Sequence, residues 1–460
     1  MNKQDEEEQI IKDVPVLDGD ELGPNPRSKK KYLYYGLIIF GILLVVSIII
    51  LIIVLILKNS SPKIIKSNTF KAYYHTDEDE ILVKLFSPNI RQYITLMKID
   101  DHIIKIIDNT FRFRVAGDHS LEVFLENNTL PSMEEMFKEC TYLTEVDLSD
   151  LKTEMANNMS QMFYKCESLT FINMSYINTA SVLNMSSMFY GCINLTSIDL
   201  TEFDTSKVVN MSNLFNSCYK IENINLYRLD ASNVEDMSNM FSSCIELKDL
   251  NIQKFKTNKV IKMNKMFYRC YSLQSLDVSS FSTSKVTTME GMFQFCTDLS
   301  ELNLKNFDTS QVTDMSNMFS ACRSINSIYL SNFNTKSVIN MNNMFNGCFL
   351  LKKININNFK TENLNQMGMM FYGCLSITSL DLSNINTKKV QNMGGLFGRC
   401  ISLEKIDIRN FDTSGLTTQS NLFSEISKNG TIYYKSKIFN ISLLKYDSIK
   451  YWEKIDISKK

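Results

Sequence analysis

Eleven cysteines and three histidines are the side chains of this 460-residue protein best suited to chemistry, so their placing comes first. The thiols Cys140, Cys166, Cys192, Cys218, Cys244, Cys270, Cys296, Cys322, Cys348, Cys374 and Cys400 recur every 26 residues, without an insertion or deletion. Disulfides and metal sites both need groups that converge from different positions. An odd number of thiols at one structural position, each a whole repeat from the next, does not converge. If each ended a helix, neighbours would stand about 8–10 Å apart, beyond the ~7 Å reach of a bridge. They read as small buried hydrophobes. Free thiols weigh against an oxidising compartment unless burial protects them. His75, His102 and His119 lie in three separate places before the first cysteine. No Ser/His/Asp set, phosphate-binding glycine loop or carboxylate cluster accompanies them. The expectation is a non-enzyme with no catalytic residue, no metal and no cofactor.

The elements that hold these thiols follow from the columns around them. With each cysteine as position zero, +3 is Leu or Ile, and +6 and +8 are apolar with a polar residue between. Position +11 is mostly Phe, +13 is Thr except at Ala231, and +16 is usually Val. Between cysteines +19 is Met, +22 is Met or Leu, and +23 is Phe. Phe137 and Phe423 extend the phase at both ends, while Gln419 and Ile426 mark its decay. Alternation at +6 and +8 predicts a strand. Apolar residues at +16, +19, +22, +23 and +26 predict a short one-faced helix, with the Thr at +13 as N-cap. The expected fold is an α/β repeat solenoid, leucine-rich-repeat-like, with a short strand plus a short helix per 26-residue unit. The Met columns read as gap-filling core, not as a copper site.

The Leu143-x-x-Val146-x-Leu148 core, with Phe at +11, resembles the leucine-rich repeat. The wider unit, as in Met237-Ser-Asn-Met-Phe-Ser-Ser-Cys244 or Asn306-Phe-Asp-Thr-Ser-Gln-Val-Thr-Asp-Met315, resembles the BspA-like leucine-rich-repeat surface proteins of bacteria and protists. That resemblance covers residues 131–426 and implies a surface-displayed adhesion or ligand-binding solenoid without enzymatic activity. Many such relatives are expected to carry a cleaved signal with a C-terminal or lipid anchor. Here the long apolar run is N-terminal.

That run, Tyr32 to Leu57, carries no charge. As a helix it would span about 39 Å, enough for a bilayer core, and it is too long for a signal peptide. It predicts an uncleaved single-pass transmembrane helix. Arg27, Lys29, Lys30 and Lys31 precede it, against Lys58 directly after. This favours a cytosolic N-terminus and a cell-surface, extracellular C-terminal domain. A cytosol-facing membrane scaffold is the inverted alternative. The expected organisation is a cytosolic tail at 1–31, the helix at 32–57, and a linker with a β-rich cap at 58–130. The solenoid follows at 131–426 and a C-terminal cap at 427–460. Sequons at Asn127, Asn158, Asn184, Asn210, Asn429 and Asn440 are possible N-glycosylation sites.

A net charge of −1 argues against nucleic acid as a partner. A protein or glycan ligand would meet the outward strand positions +5, +7 and +9. Asp or Asn fills +7 in most units, a polar ladder whose plainest role is to solvate the face and bond along the stack. Phe171 at +5, Tyr227 at +9 and Tyr329 at +7 interrupt it, and exposed rings favour interfaces. The candidate ligand-binding residues are Phe171, Tyr227, Tyr329, Asp199, Asp277 and Asn303.

Overall fold

A computed structural model describes residues 44, 68–105, 108–126, 130–440, 442–443 and 447–459. The chain divides into two units, Met1–Ile65 and Lys66–Lys460. The expected transmembrane segment Tyr32 to Leu57 lies outside the described residues, apart from Leu44. Among the described residues no helix is long and apolar enough to cross a membrane. This overturns the single-pass anchor and the topology and localisation drawn from it. A single-pass anchor of that kind needs a long helix that satisfies its own backbone, and none is found among the described residues.

The repeat also differs from expectation. It is a β-solenoid of about 12 turns with almost no helix. On one side, short strands stack in parallel: Ser197–Asp199 on Asn223–Asn225, Ser275–Asp277 on Glu301–Asn303, and Ser379–Asp381 on Lys405–Asp407. Each residue pairs with its equivalent one repeat on. The apolar +6 residues Ile198, Leu276 and Leu380 are buried between the outward +5 and +7 positions.

On the other side, the predicted helix is replaced by a stack of turns. The N–H groups of Met185, Ser187, Phe189 and Gly191 donate to carbonyls of the next rung at Asn210, Ser212, Leu214 and Asn216, at 2.8–3.0 Å. Those of Met188, Tyr190 and Cys192 turn back three residues, to Met185, Ser187 and Phe189. The N–H of Ser186 donates to the Asn184 side chain at 3.0 Å. All backbone donors from Met185 to Cys192 are therefore used, so nothing is gained by a helix. The path needs a left-handed residue at +21 and +25, here Ser187 at φ 56° and Gly191 at φ 71°, and other rungs repeat both. Turns that close every three residues bring +19, +22, +23 and +26 inward. This spacing imitates one face of a helix.

The Thr at +13 is no helix cap. It staples rungs: the Thr283 hydroxyl donates to the Asp308 carbonyl and accepts the Asp308 N–H, both at 2.8 Å. Inside, Phe137 to Phe423 form one column of near-parallel rings with centroids 5.5–6.4 Å apart. That separation exceeds the ~4.8 Å rung spacing of a parallel ladder, so the rings stack with an offset, as their quadrupoles prefer. All eleven thiols are buried and free. From Cys166 to Cys400, ten S–H groups point to a Phe carbonyl one rung back, as Cys166 does to Phe137 at 2.9 Å. Burial pushes Cys140, Cys270, Cys348 and Cys400 up to about 12. The helix-based spacing was too wide: ladder packing sets rungs about 4.8 Å apart. What disfavours bridging is the Cβ separation, since side chains stacked in register keep their Cβ atoms about a full rung of ~4.8 Å apart, wider than the ~3.8 Å typical of a disulfide.

Before the solenoid lie β1 (Thr69–Thr76), β2 (Ile81–Lys84), β3 (Ile94–Ile99), β4 (His102–Ile104), β5 (Thr110–Phe113) and β6 (Gly117–Leu125). The first rungs contribute β7 (Leu143–Asp147) and β8 (Phe171–Asn173). One sheet runs β4-β3-β6-β1-β7-β8, with β1 antiparallel to both β6 and β7. The first rung's backbone edge is thus paired. At the far end Thr431–Tyr434 continues the parallel ladder from Lys405–Asp407, and Glu453–Asp456 extends it. Gly430 permits this closure, because a Cβ there would lie 2.6 Å from the Glu404 carbonyl and 2.8 Å from the Trp452 ring.

Candidate functional site

On the strand side, the +7 carboxylates and amides are committed to the backbone. Asp147, Asn173, Asp199, Asn225, Asn251, Asp277, Asn303, Asn355, Asp381 and Asp407 each accept the N–H of the residue two further on. These Asx turns end each strand and start the next corner. Hydrogen bonds from Ser279 hold the Asp277 carboxyl below its ordinary value, and Ser383 does the same for Asp381. Tyr329 is the exception in the column. It cannot make that turn, and its ring is 73% exposed.

The expected ligand-binding residues fall into separate groups. Phe171, 56% exposed, shares a shallow hollow with Asp199. Asp277 and Asn303 face each other in register, and the Asn303 amide donates to Asp277 at 3.4 Å. Tyr227 is half-exposed beneath Lys254, whose Nζ sits 3.8 Å from the ring centroid. The lysine also holds the Tyr227 hydroxyl below its usual range. The structure therefore does not bring the six together in one pocket. Of the sequons, Asn158, Asn184 and Asn210 are half-buried and hold Asx turns on the turn side. Asn429 and Asn440 are exposed, and Asn127 lies outside the described residues.

The turn side contains a site that the sequence reading missed. Position +25 carries Arg269, Phe295, Ala321, Gly347, Gly373 and Arg399 on six successive rungs. The three small residues leave a groove of about 420 Å³, bounded by Phe295 and Arg399. One wall carries Arg323 and Phe349, with the guanidinium 5.2 Å from the ring centroid. The other carries amides, including Asn343 and Asn346, which bond to each other at 2.9 Å. Tyr372 joins it to a second hollow of about 460 Å³, opened by Gly368, Gly394 and Gly395. Six of the fifteen glycines lie between 347 and 398, and that clustering was the available signal.

Of the histidines, His102 and His119 both meet Asp100, the first at its carbonyl at 2.6 Å and the second at its carboxylate at 2.9 Å, while His75 pairs elsewhere. His75 Nδ1 lies 2.6 Å from Asp118, which raises the ring's pKa, while His119 stacks on Phe113. Among the described residues no group of three or more His, Cys, Asp and Glu could hold a metal ion.

A family model described as "Mycoplasma protein of unknown function, DUF285" matches residues 131–249, 220–331, 244–354, 294–379 and 326–436. The chain belongs to the DUF285 family. Its matches overlap to cover the solenoid from 131 to 436, and the 26-residue rung is the family's unit here. The finer leucine-rich-repeat label is not what this match shows, and the DUF285 rung has a turn stack in place of a helix. No curated protein matches the chain. One similar solved structure is that of the Toll–Spatzle complex, a molecular hub in Drosophila development and innate immunity. It is 14% identical with a TM-score of 0.21, and the match covers 67% of this chain and 46% of that one. The DUF285 chain thus spans about half the length of that chain, and no argument rests on so low a score.

Proposed function

We propose that this protein is a non-enzymatic recognition module whose solenoid binds a protein or glycan partner on its strand side, with Tyr329 and Tyr227 as anchors. One observation carries the reading. At +7, ten rungs use Asp or Asn to end the strand, and Tyr329 gives up that hydrogen bond for a ring 73% exposed to solvent. A residue that breaks a local structural rule without gaining burial marks a functional position. Tyrosine is also among the residues that dominate interface energetics. Phe171, Tyr227 and Tyr329 are spread over six rung steps, about 29 Å, the width of one standard interface. The resemblance to BspA-like repeats supports an adhesive role. The test is Tyr329→Asn, which restores the column's own residue. Binding to a panel of immobilised proteins and glycans should fall while the melting temperature holds or rises slightly. A variant that binds the whole panel as the parent does removes Tyr329 from the footprint.

A further inference from the structure

We propose that the groove between Phe295 and Arg399 on the turn side binds an acidic oligosaccharide, at a site separate from the strand-side surface and independent of that reading. Four rung steps of about 4.8 Å make the groove about 19 Å long, and its volume of about 420 Å³ is that of a ligand pocket. It is open because side chains are missing. A Cβ on Gly347 would come no closer than 3.6 Å to Ala321, and one on Gly373 no closer than 3.7 Å to Gly347. The packing there does not demand glycine, and although both residues sit in the left-handed region at φ 74° and 69°, Phe295 and Arg399 hold the same position with side chains.

The lining selects the ligand. Arg323 and Arg399 both reach the groove and no carboxylate lines it. Arg399 also meets Glu425 at 3.4 Å, whereas Arg323 lies against Phe349 with its charge toward solvent. An anion is therefore favoured, and guanidinium suits a carboxylate or sulfate. Phe295, Phe349 and Tyr372 supply flat apolar faces, and the quadrupole of such rings attracts the polarised C–H groups of a sugar. Asn343 and Asn346 can donate and accept, which matches neighbouring hydroxyls. A peptide fits less well. Extended peptides gain affinity by adding to a free backbone ladder, but the floor's N–H groups are already used. Ala321, Gly347 and Gly373 donate to the Asn346, Tyr372 and Gly398 carbonyls at 2.6–2.7 Å.

The experiment titrates the full chain with three sets of probes. These are uronate, sialylated and sulfated oligosaccharides, their neutral counterparts, and an oligoglutamate peptide. Saturable binding is expected for at least one acidic sugar, with the neutral form at least about tenfold weaker and the peptide weaker still. Gly347→Phe should abolish binding by filling the groove, since Phe295 holds the same left-handed +25 position at φ 65°. Arg323→Gln should weaken it about tenfold without filling anything, and it decides the matter if Gly347→Phe fails to fold. Tyr329→Asn should leave it unchanged. The proposal is overturned if no acidic sugar binds, if neutral forms bind equally, or if oligoglutamate competes as well as the sugar. It is equally overturned if Arg323→Gln or a folded Gly347→Phe binds like the parent.

Discussion

The strand side and the turn side of the solenoid stack with the same period but use their residues in opposite ways. On the strand side two or three residues of a paired rung form ladder, and the Asp or Asn at +7 ends it. On the turn side the backbone alone satisfies nearly every donor across eight residues. Side chains at +25 are then free to vary, from Lys165 and Arg269 to Phe295 and Gly347, at similar positive φ. A substitution in the +7 column on the strand side therefore costs a structural bond, as Tyr329 does. On the turn side it can be made by deleting a side chain, as the groove is. Departures from the repeat carry more information about function than the repeat itself.

The contrast breaks most visibly if the shared core does not couple the two sides. Phe267→Ala removes a ring stacked between Phe241 and Phe293 at 5.5 and 5.7 Å. It should cost about 3–5 kcal/mol, with the loss spreading to adjacent rungs. A urea melt indistinguishable from the parent would refute the column.

A smaller effect separates backbone stapling from helix capping at +13. Thr283→Ala removes a buried hydroxyl and both of its bonds to the Asp308 backbone, and should cost about 1–3 kcal/mol. The reverse change, Ala231→Thr, places a hydroxyl beside Lys256 one rung on and should add about 1 kcal/mol. Thermal melts of the pair check both signs. Loss in the first without gain in the second would mean that the Ala231 rung has repacked.

The finest test is acid. The carboxyls of Asp204, Asp277 and Asp381 are lowered in the folded chain, chiefly by hydrogen bonds from Ser206, Ser279 and Ser383. Groups depressed by folding stabilise above their unfolded value, near about pH 4, and lose that contribution as pH falls through the folded value. Melting temperature should drop from neutral pH to acid. Asp277→Asn keeps the Asx acceptor without the titration, so it should match the parent at neutral pH and lose less in acid. Equal acid loss in both would mean that the strand-side turn at this rung does not sense pH.

Legibility of the chain followed the reach of each interaction. Period, rung phase, the inward Phe, Met and Cys columns and the outward polar ladder are local regularities, and the sequence shows them without a structure. Burial of every cysteine followed from the same regularity. The sequence could not separate helix from turn stack, because both bring +19, +22, +23 and +26 inward. The difference lies in where alternate N–H groups go, and their partners are 25 residues away, as with Met185 and Asn210. Asn at +21, in Asn213, Asn239, Asn317 and Asn343, hinted at left-handed backbone. The groove was hidden for a related reason. Ala321, Gly347 and Gly373 are unremarkable one by one, and only stacking at rung distance turns three missing side chains into one cavity.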